Sequence, residues 1–92
     1  MDEVYVVVES WQFDSGECGE TIEVFSNLES AKRWKKYLTK LERDAFSETF
    51  DKDQIDEQEE EMDFVICEKG EFCYNHCTIT IYQREIDVNK EY

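Results

Sequence analysis

Proline is absent from this 92-residue chain, glycine occurs three times and histidine once. The chain contains no glycine-rich phosphate loop, no G-x-S-x-G nucleophile motif and no H-E-x-x-H zinc motif. His76 lies close in sequence to Cys73 and Cys77, but acyl transfer also needs a group that orients the base and donors for an oxyanion. The sequence therefore predicts a protein that is not an enzyme and that has no cofactor.

Long hydrophobic runs and positive charge are also scarce. No apolar stretch approaches the length of a membrane span, and the residues after Met1 lack the basic start of a signal peptide. We therefore expect a cytoplasmic protein whose four cysteines stay reduced. The 24 Asp and Glu outnumber the 10 Lys and Arg, for a formal net charge of −14. Such a chain repels nucleic acid and anionic membranes, so a charged partner should be a basic protein.

Enough large apolar side chains are present for one core, with six Phe, five Tyr and two Trp. The length predicts a single domain over residues 1–92, with an acidic insertion at about residues 47–62. β-Branched or alternating runs predict four strands, at residues 4–8, 21–25, 64–67 and 78–84. The first two should form a hairpin, and alternation in the last strand places Cys77, Ile79 and Ile81 on one face.

One long helix is predicted from Ser26 to Phe46. Ser26 and Glu29 fit a capping box, in which the two side chains satisfy backbone N–H groups at the helix start. The predicted apolar stripe consists of Leu28, Ala31, Trp34, Leu38, Leu41 and Ala45. The other faces carry six of the ten basic residues, namely Lys32, Arg33, Lys35, Lys36, Lys40 and Arg43.

These elements predict an α+β fold of ββαββ order, in which the helix packs on one face of a small antiparallel or mixed sheet. A single helix covers only one face. We therefore expect the other face, with Tyr5, Val7 and Tyr82, to serve as a homodimer or partner surface.

The acidic segment, defined here as residues 48–63, holds nine carboxylates and one lysine. Its structure stays open between an exposed loop and a short helix near residues 53–61. Asp51-x-Asp53 begins like an EF-hand loop, but Asp56 and Met62 occupy the positions that require glycine and glutamate, which argues against a calcium site. As a helix the segment would span about 24 Å, with one carboxylate about every 2.7 Å, close to the phosphate spacing of about 3.4 Å along one DNA strand.

This density predicts a partner-binding surface made of Asp51, Asp53, Asp56, Glu57, Glu59, Glu60 and Glu61. A solvated acidic loop that only aids solubility is the alternative.

The cysteines suggest a second kind of site. Zinc takes about four thiolate or imidazole ligands in a tetrahedron, and the candidates are Cys67, Cys73, His76 and Cys77. No paired C-x-x-C motifs are present, and burial of the cysteines as small apolar residues or a Cys67–Cys73 disulfide are the alternatives.

Two resemblances accompany these observations. The pattern Val4-Tyr5-Val6-Val7, then Val24-Phe25-Ser26-x-x-Glu29-x-Ala31, then residues 81–87 resembles small bacterial and phage proteins and implies only a topology. In charge and size the chain is similar to the acidic DNA-mimic inhibitors of phages, including anti-restriction and anti-CRISPR proteins. That similarity implies an interaction protein that occludes a basic site on a nucleic-acid-handling protein. The alternatives are an accessory or regulatory protein that dimerises through its sheet face, and a small zinc-stabilised binding module.

Overall fold

The computed structural model describes residues 2–70 and 75–86 and confirms an α+β fold. Its elements are β1 (Asp2–Gln12), β2 (Cys18–Phe25), α1 (Leu28–Thr49), a 3-10 turn (Lys52–Gln54), β3 (Ile55–Glu59), β4 (Asp63–Glu68) and β5 (His76–Ile86). The acidic segment thus supplies a strand, β3, which makes the order ββαβββ. Among the described residues, no helix combines the length and the apolar character needed to cross a membrane.

The five strands form one antiparallel sheet in the order β2-β1-β5-β4-β3. β1 and β5 pair along their whole lengths, from Asp2 opposite Ile86 to Gln12 opposite His76. The predicted hairpin is confirmed, because β1 also pairs with β2 from Tyr5 opposite Phe25 to Gln12 opposite Cys18. β2 and β3 are the two edge strands.

α1 crosses the sheet because it connects these two edges. Its 22 residues span about 33 Å, longer than the sheet is wide at about 4.8 Å per strand. The helix begins one residue later than the capping box predicts, since the Asn27 side chain is the N-cap and accepts a 2.8 Å hydrogen bond from Ser30 N. At the other end it continues three residues beyond Phe46, to Thr49.

The predicted apolar stripe of α1 is only partly correct. Its buried residues are Ala31, Lys35, Leu38, Thr39 and Phe46. Leu41 and Ala45 are exposed instead, because burial of the larger Phe46 ring turns those two positions toward solvent. The core therefore joins the helix to the Val7, Phe64, Ile66, Ile79 and Ile81 side chains of the sheet.

Two glycines permit the β1–β2 hairpin. Gly16 has a φ of 92°, in the left-handed region that residues with side chains rarely adopt. Gly19 lies opposite Trp11, and a Cβ there would approach the Trp11 ring to 2.3 Å. The Trp11 ring can therefore lie over β2 only because this position has no side chain.

Strand register divides the sheet into a covered face and an open face. Tyr5 and Val7 pack in the core under α1, which corrects the prediction that they belong to the uncovered surface. The prediction failed because β1 is rich in valine on both faces, so its pattern does not show which alternate positions face the helix. Tyr82 does lie on the open face, in one row with Val6 and Val24.

Candidate functional site

The acidic segment lies along one edge of the sheet. Alternation along β3 directs Glu57 and Glu59 to the covered face, where they meet α1, and directs Asp56 to the open face. β3 is therefore a charged edge strand, a feature that discourages pairing with further strands.

Basic residues of α1 pair with this edge. Arg43 Nε donates to Glu57 Oε2 at 2.9 Å, and Arg43 Nη2 donates to Glu59 Oε2 at 2.5 Å. The Glu57 hydrogen bond is the main reason that the pKa of Arg43 is raised. Lys32 forms an ion pair with Glu61 and lowers the pKa of that carboxyl by hydrogen bonding to it. The exposed location of these pairs means that each contributes little to stability.

The buried Lys35 completes this contact. Its ammonium donates to the backbone oxygen of Glu60 at 2.9 Å, so the turn after β3 is held to the helix by a backbone contact as well as by charge. A groove of about 1030 Å³ runs between α1 and this turn. The buried Thr39 Oγ1 lies among its lining residues and has no hydrogen-bond partner within the described part of the chain.

The seven predicted partner-binding residues therefore fall into two groups. Glu57, Glu59 and Glu61 contact cations of the same chain. The other four side chains are exposed, and no described residue forms an ion pair with them. They are Asp51, Asp53, Asp56 and Glu60. The segment thus retains an acidic outer surface, but with fewer available carboxylates than the sequence suggests.

The open face carries an exposed apolar surface. Ile22 is 56 % exposed, Val24 58 %, Tyr82 40 % and Val65 39 %. In register, Val24 lies beside Val6 and Tyr82, and Ile22 lies beside Val8 and Thr80. The guanidinium of Arg84 stacks over the Tyr82 ring at 5.0 Å from its centroid. A contiguous apolar area on β2, β1 and β5 is thus formed by Ile22, Val24, Val6, Val8 and Tyr82, whereas Val65 of β4 lies beside Thr78.

The four predicted zinc ligands are not all brought together. Cys67 is opposite His76 in the β4–β5 pair, whereas Cys77 is opposite Ile66. Cys77 therefore lies on the covered face, fully buried, while Cys67 lies on the open face. Cys73 lies outside the described residues. A single ion on one face could take at most one of the Cys67 and Cys77 thiolates.

A cluster of three residues lies between the helix and the sheet, at the buried Glu9 of β1, the half-buried Glu42 of α1 and the buried Cys77 of β5. One ligand atom from each residue lies within 4.8 Å of the others. Glu9 is only 6 % exposed, and Glu9 Oε1 accepts a 3.2 Å hydrogen bond from the Thr21 hydroxyl. Burial is the main cause of the raised pKa of Glu9, followed by the charge of Glu42 and a hydrogen bond to it. Burial, then the Glu42 and Glu9 carboxyls, also raises the pKa of the Cys77 thiol.

Sequence inspection missed this cluster because its members are far apart in the chain. The available indications were a glutamate directly after the apolar run of residues 4–8 and another glutamate four residues before Phe46 on α1. Neither indication identifies the other residue as its neighbour without the fold.

The chain matches no protein family, no curated protein and no solved structure in the three comparisons made.

Proposed function

We propose that this protein is a non-enzymatic, cytoplasmic interaction protein that uses its open sheet face to bind a basic surface on another protein. The observation that carries the proposal is the exposed apolar area on that face, which includes Ile22, Val24 and Tyr82. Contiguous apolar surface of this kind is typical of protein-binding sites. The helix cannot cover it, because α1 is already packed on the other side.

The charge of the chain supports a basic partner. Three of the six cations on α1 already contact the acidic edge through Lys32, Lys35 and Arg43. With a net charge of −14, the molecule attracts basic surfaces at long range and repels copies of itself. An apolar contact area within an acidic surface therefore favours a basic protein over a second copy of this chain.

The test compares two double variants in capture experiments. Ile22→Thr/Val24→Thr removes apolar surface from the open face and keeps strand-forming residues. Tyr37→Gln/Leu41→Gln removes two residues of α1 with similar exposure, 49 % and 48 %, and serves as the matched control. Each protein is immobilised and exposed to a nuclease-treated extract of the source cells, and the retained proteins are identified by mass spectrometry.

The proposal predicts a basic protein that is retained by the wild type and the helix variant and lost from the open-face variant. Equal retention by both variants would reject the open face as the contact surface. Sedimentation of the purified protein tests whether a second copy of the chain occupies the face instead. A wild-type dimer that becomes a monomer in the open-face variant would assign the face to self-association.

A second candidate function keeps the same class of partner but uses the acidic edge, as a DNA-mimic inhibitor would. It is favoured by four exposed carboxylates that no cation of residues 2–70 or 75–86 pairs with, Asp51, Asp53, Asp56 and Glu60. Such a protein would occlude the basic site of a nucleic-acid-handling enzyme. The inhibitor interpretation predicts that most of the binding free energy is electrostatic and is therefore lost at high salt.

Two fourfold variants with equal charge change separate this candidate from general charge attraction. One is Asp51→Asn/Asp53→Asn/Asp56→Asn/Glu60→Gln on the acidic edge. The other neutralises exposed carboxylates elsewhere, in Asp14→Asn/Glu17→Gln/Glu23→Gln/Glu29→Gln. The DNA-mimic function requires the edge variant to weaken partner binding and flatten its salt dependence more than the control does. Equal losses would leave the acidic edge as a solvated surface.

A further inference from the structure

We propose that Glu9 and Glu42 form a proton-dependent latch between β1 and α1, which holds the helix on the sheet while the buried Glu9 carboxyl keeps its proton and loosens when that carboxyl ionises. This latch would operate whether or not the open face binds a partner. It depends on the geometry of the buried cluster.

The two carboxyls join elements that are distant in sequence. Glu9 comes from a sheet strand and Glu42 from the second half of the helix, with Cys77 from β5 beside them. A hydrogen bond between two carboxyl groups needs one of them to carry the proton. While Glu9 keeps its proton, it can donate to the Glu42 carboxyl and link the sheet to the helix. When Glu9 ionises, its buried negative charge lies beside a second acidic side chain, where repulsion is weakly screened.

Among the described residues, no cation contacts Glu9. α1 contributes Glu42, β5 contributes the Cys77 thiol, and β2 contributes the neutral Thr21 hydroxyl. Glu23 follows on the same side of β2, two residues further along, and is also acidic. On the covered face, Phe64 and Ile66 of β4 are apolar. On α1, Lys35 and Arg43 contact the acidic edge instead. Lys40, two residues before Glu42, is exposed.

The direction of the pH dependence follows from this environment. Glu9 has a raised pKa in the folded protein, above the ordinary value of 4.5. Below pH 4.5 both folded and unfolded states are protonated at this group, so it carries no penalty. Above that pH the unfolded chain releases the proton before the folded protein does, which lowers the free energy of unfolding until the raised folded pKa is passed. The latch therefore weakens as pH rises.

Cys77 provides a local probe, because its thiol is fully buried inside the cluster while Cys18 is exposed on the hairpin. The unmodified chain is treated with a dipyridyl disulfide, a reagent that reacts with thiols in mild acid, at a series of pH values. Peptide mass spectrometry gives the modification rates of both cysteines. The ratio of the Cys77 rate to the Cys18 rate removes most of the intrinsic pH dependence of thiol reactivity.

The latch predicts that this ratio rises above pH 4.5, by up to about tenfold per pH unit for one released proton. Glu9→Gln and Glu42→Gln, each removing one ionisable member, should flatten the rise, whereas Glu20→Gln on the open face makes the same charge change and should keep it. Wild-type ratios that stay constant with pH, or a rise that both pair variants retain, would overturn the latch. Denaturation provides the second measurement: either pair variant should unfold at higher denaturant than Glu20→Gln at neutral pH, and equal midpoints would count against the proposal.

Discussion

The two faces of the sheet are built from the same strands and have opposite environments. The covered face packs Val7, Phe64, Ile79 and Ile81 against α1 and excludes water from them. The open face exposes side chains of the same type, with Val24 at 58 % and Val65 at 39 %. Residue type along these strands therefore does not determine burial. The helix decides it, because the helix covers one face only.

Neighbouring residues of β4 give the largest expected contrast between the faces. Phe64→Ala removes a ring that is 0 % exposed on the covered face and should lower the free energy of unfolding by about 3–5 kcal/mol. Val65→Ala, one residue later on the open face, should cost less than about 1 kcal/mol. Urea denaturation of both variants measures the difference. Similar losses would mean that the open face is also buried, as in a stable dimer.

A second contrast, of intermediate size, lies on α1. Lys35 is buried and its ammonium donates to Glu60 O, whereas Lys36 is exposed. Lys35→Ala should cost about 1–3 kcal/mol, because it leaves that backbone oxygen without its donor and removes packed methylene groups. Lys36→Ala should change stability by less than about 0.5 kcal/mol. The same denaturation assay applies, and a larger loss in the Lys36 variant would contradict the placement of the two side chains.

The smallest effect is expected from the ion pairs that join α1 to the acidic edge. Arg43→Gln removes the contacts to Glu57 and Glu59 and should cost about 0.2–1 kcal/mol, because all three side chains are substantially exposed. The loss should shrink in high salt, which screens such pairs. A cost that does not change with salt would indicate that packing of Arg43 over the Phe64 ring, at 5.2 Å, matters more than charge.

Much of the fold follows from patterns within single elements. The valine run of β1, the alternation of β5 and the long amphipathic helix were all predictable, because short-range periodicity reflects one buried face. The exact stripe on α1 was not, since Lys35 and Thr39 are buried while Leu41 is exposed. Burial of a lysine depends on whether a distant oxygen, here that of Glu60, can accept its hydrogen bond.

The candidate sites were less predictable than the fold. Composition alone identified the carboxylates of the acidic segment, but it could not show that they form an edge strand or that Glu57, Glu59 and Glu61 meet helix cations. The proposed zinc set separated because residues 67 and 77 alternate to opposite faces once the β4–β5 register is fixed. The Glu9–Glu42 pair was missed, since its members lie 33 positions apart in the chain.

The sequence by itself determined the fold class, the position of the long helix and the strong negative charge, because these depend on composition and on spacing over a few residues. Only the tertiary structure decided which sheet face is covered, which carboxylates remain available and which two acids meet in the core. Those outcomes depend on strand register and on the path of α1 from one sheet edge to the other, and both are set by contacts between residues that are distant in the chain.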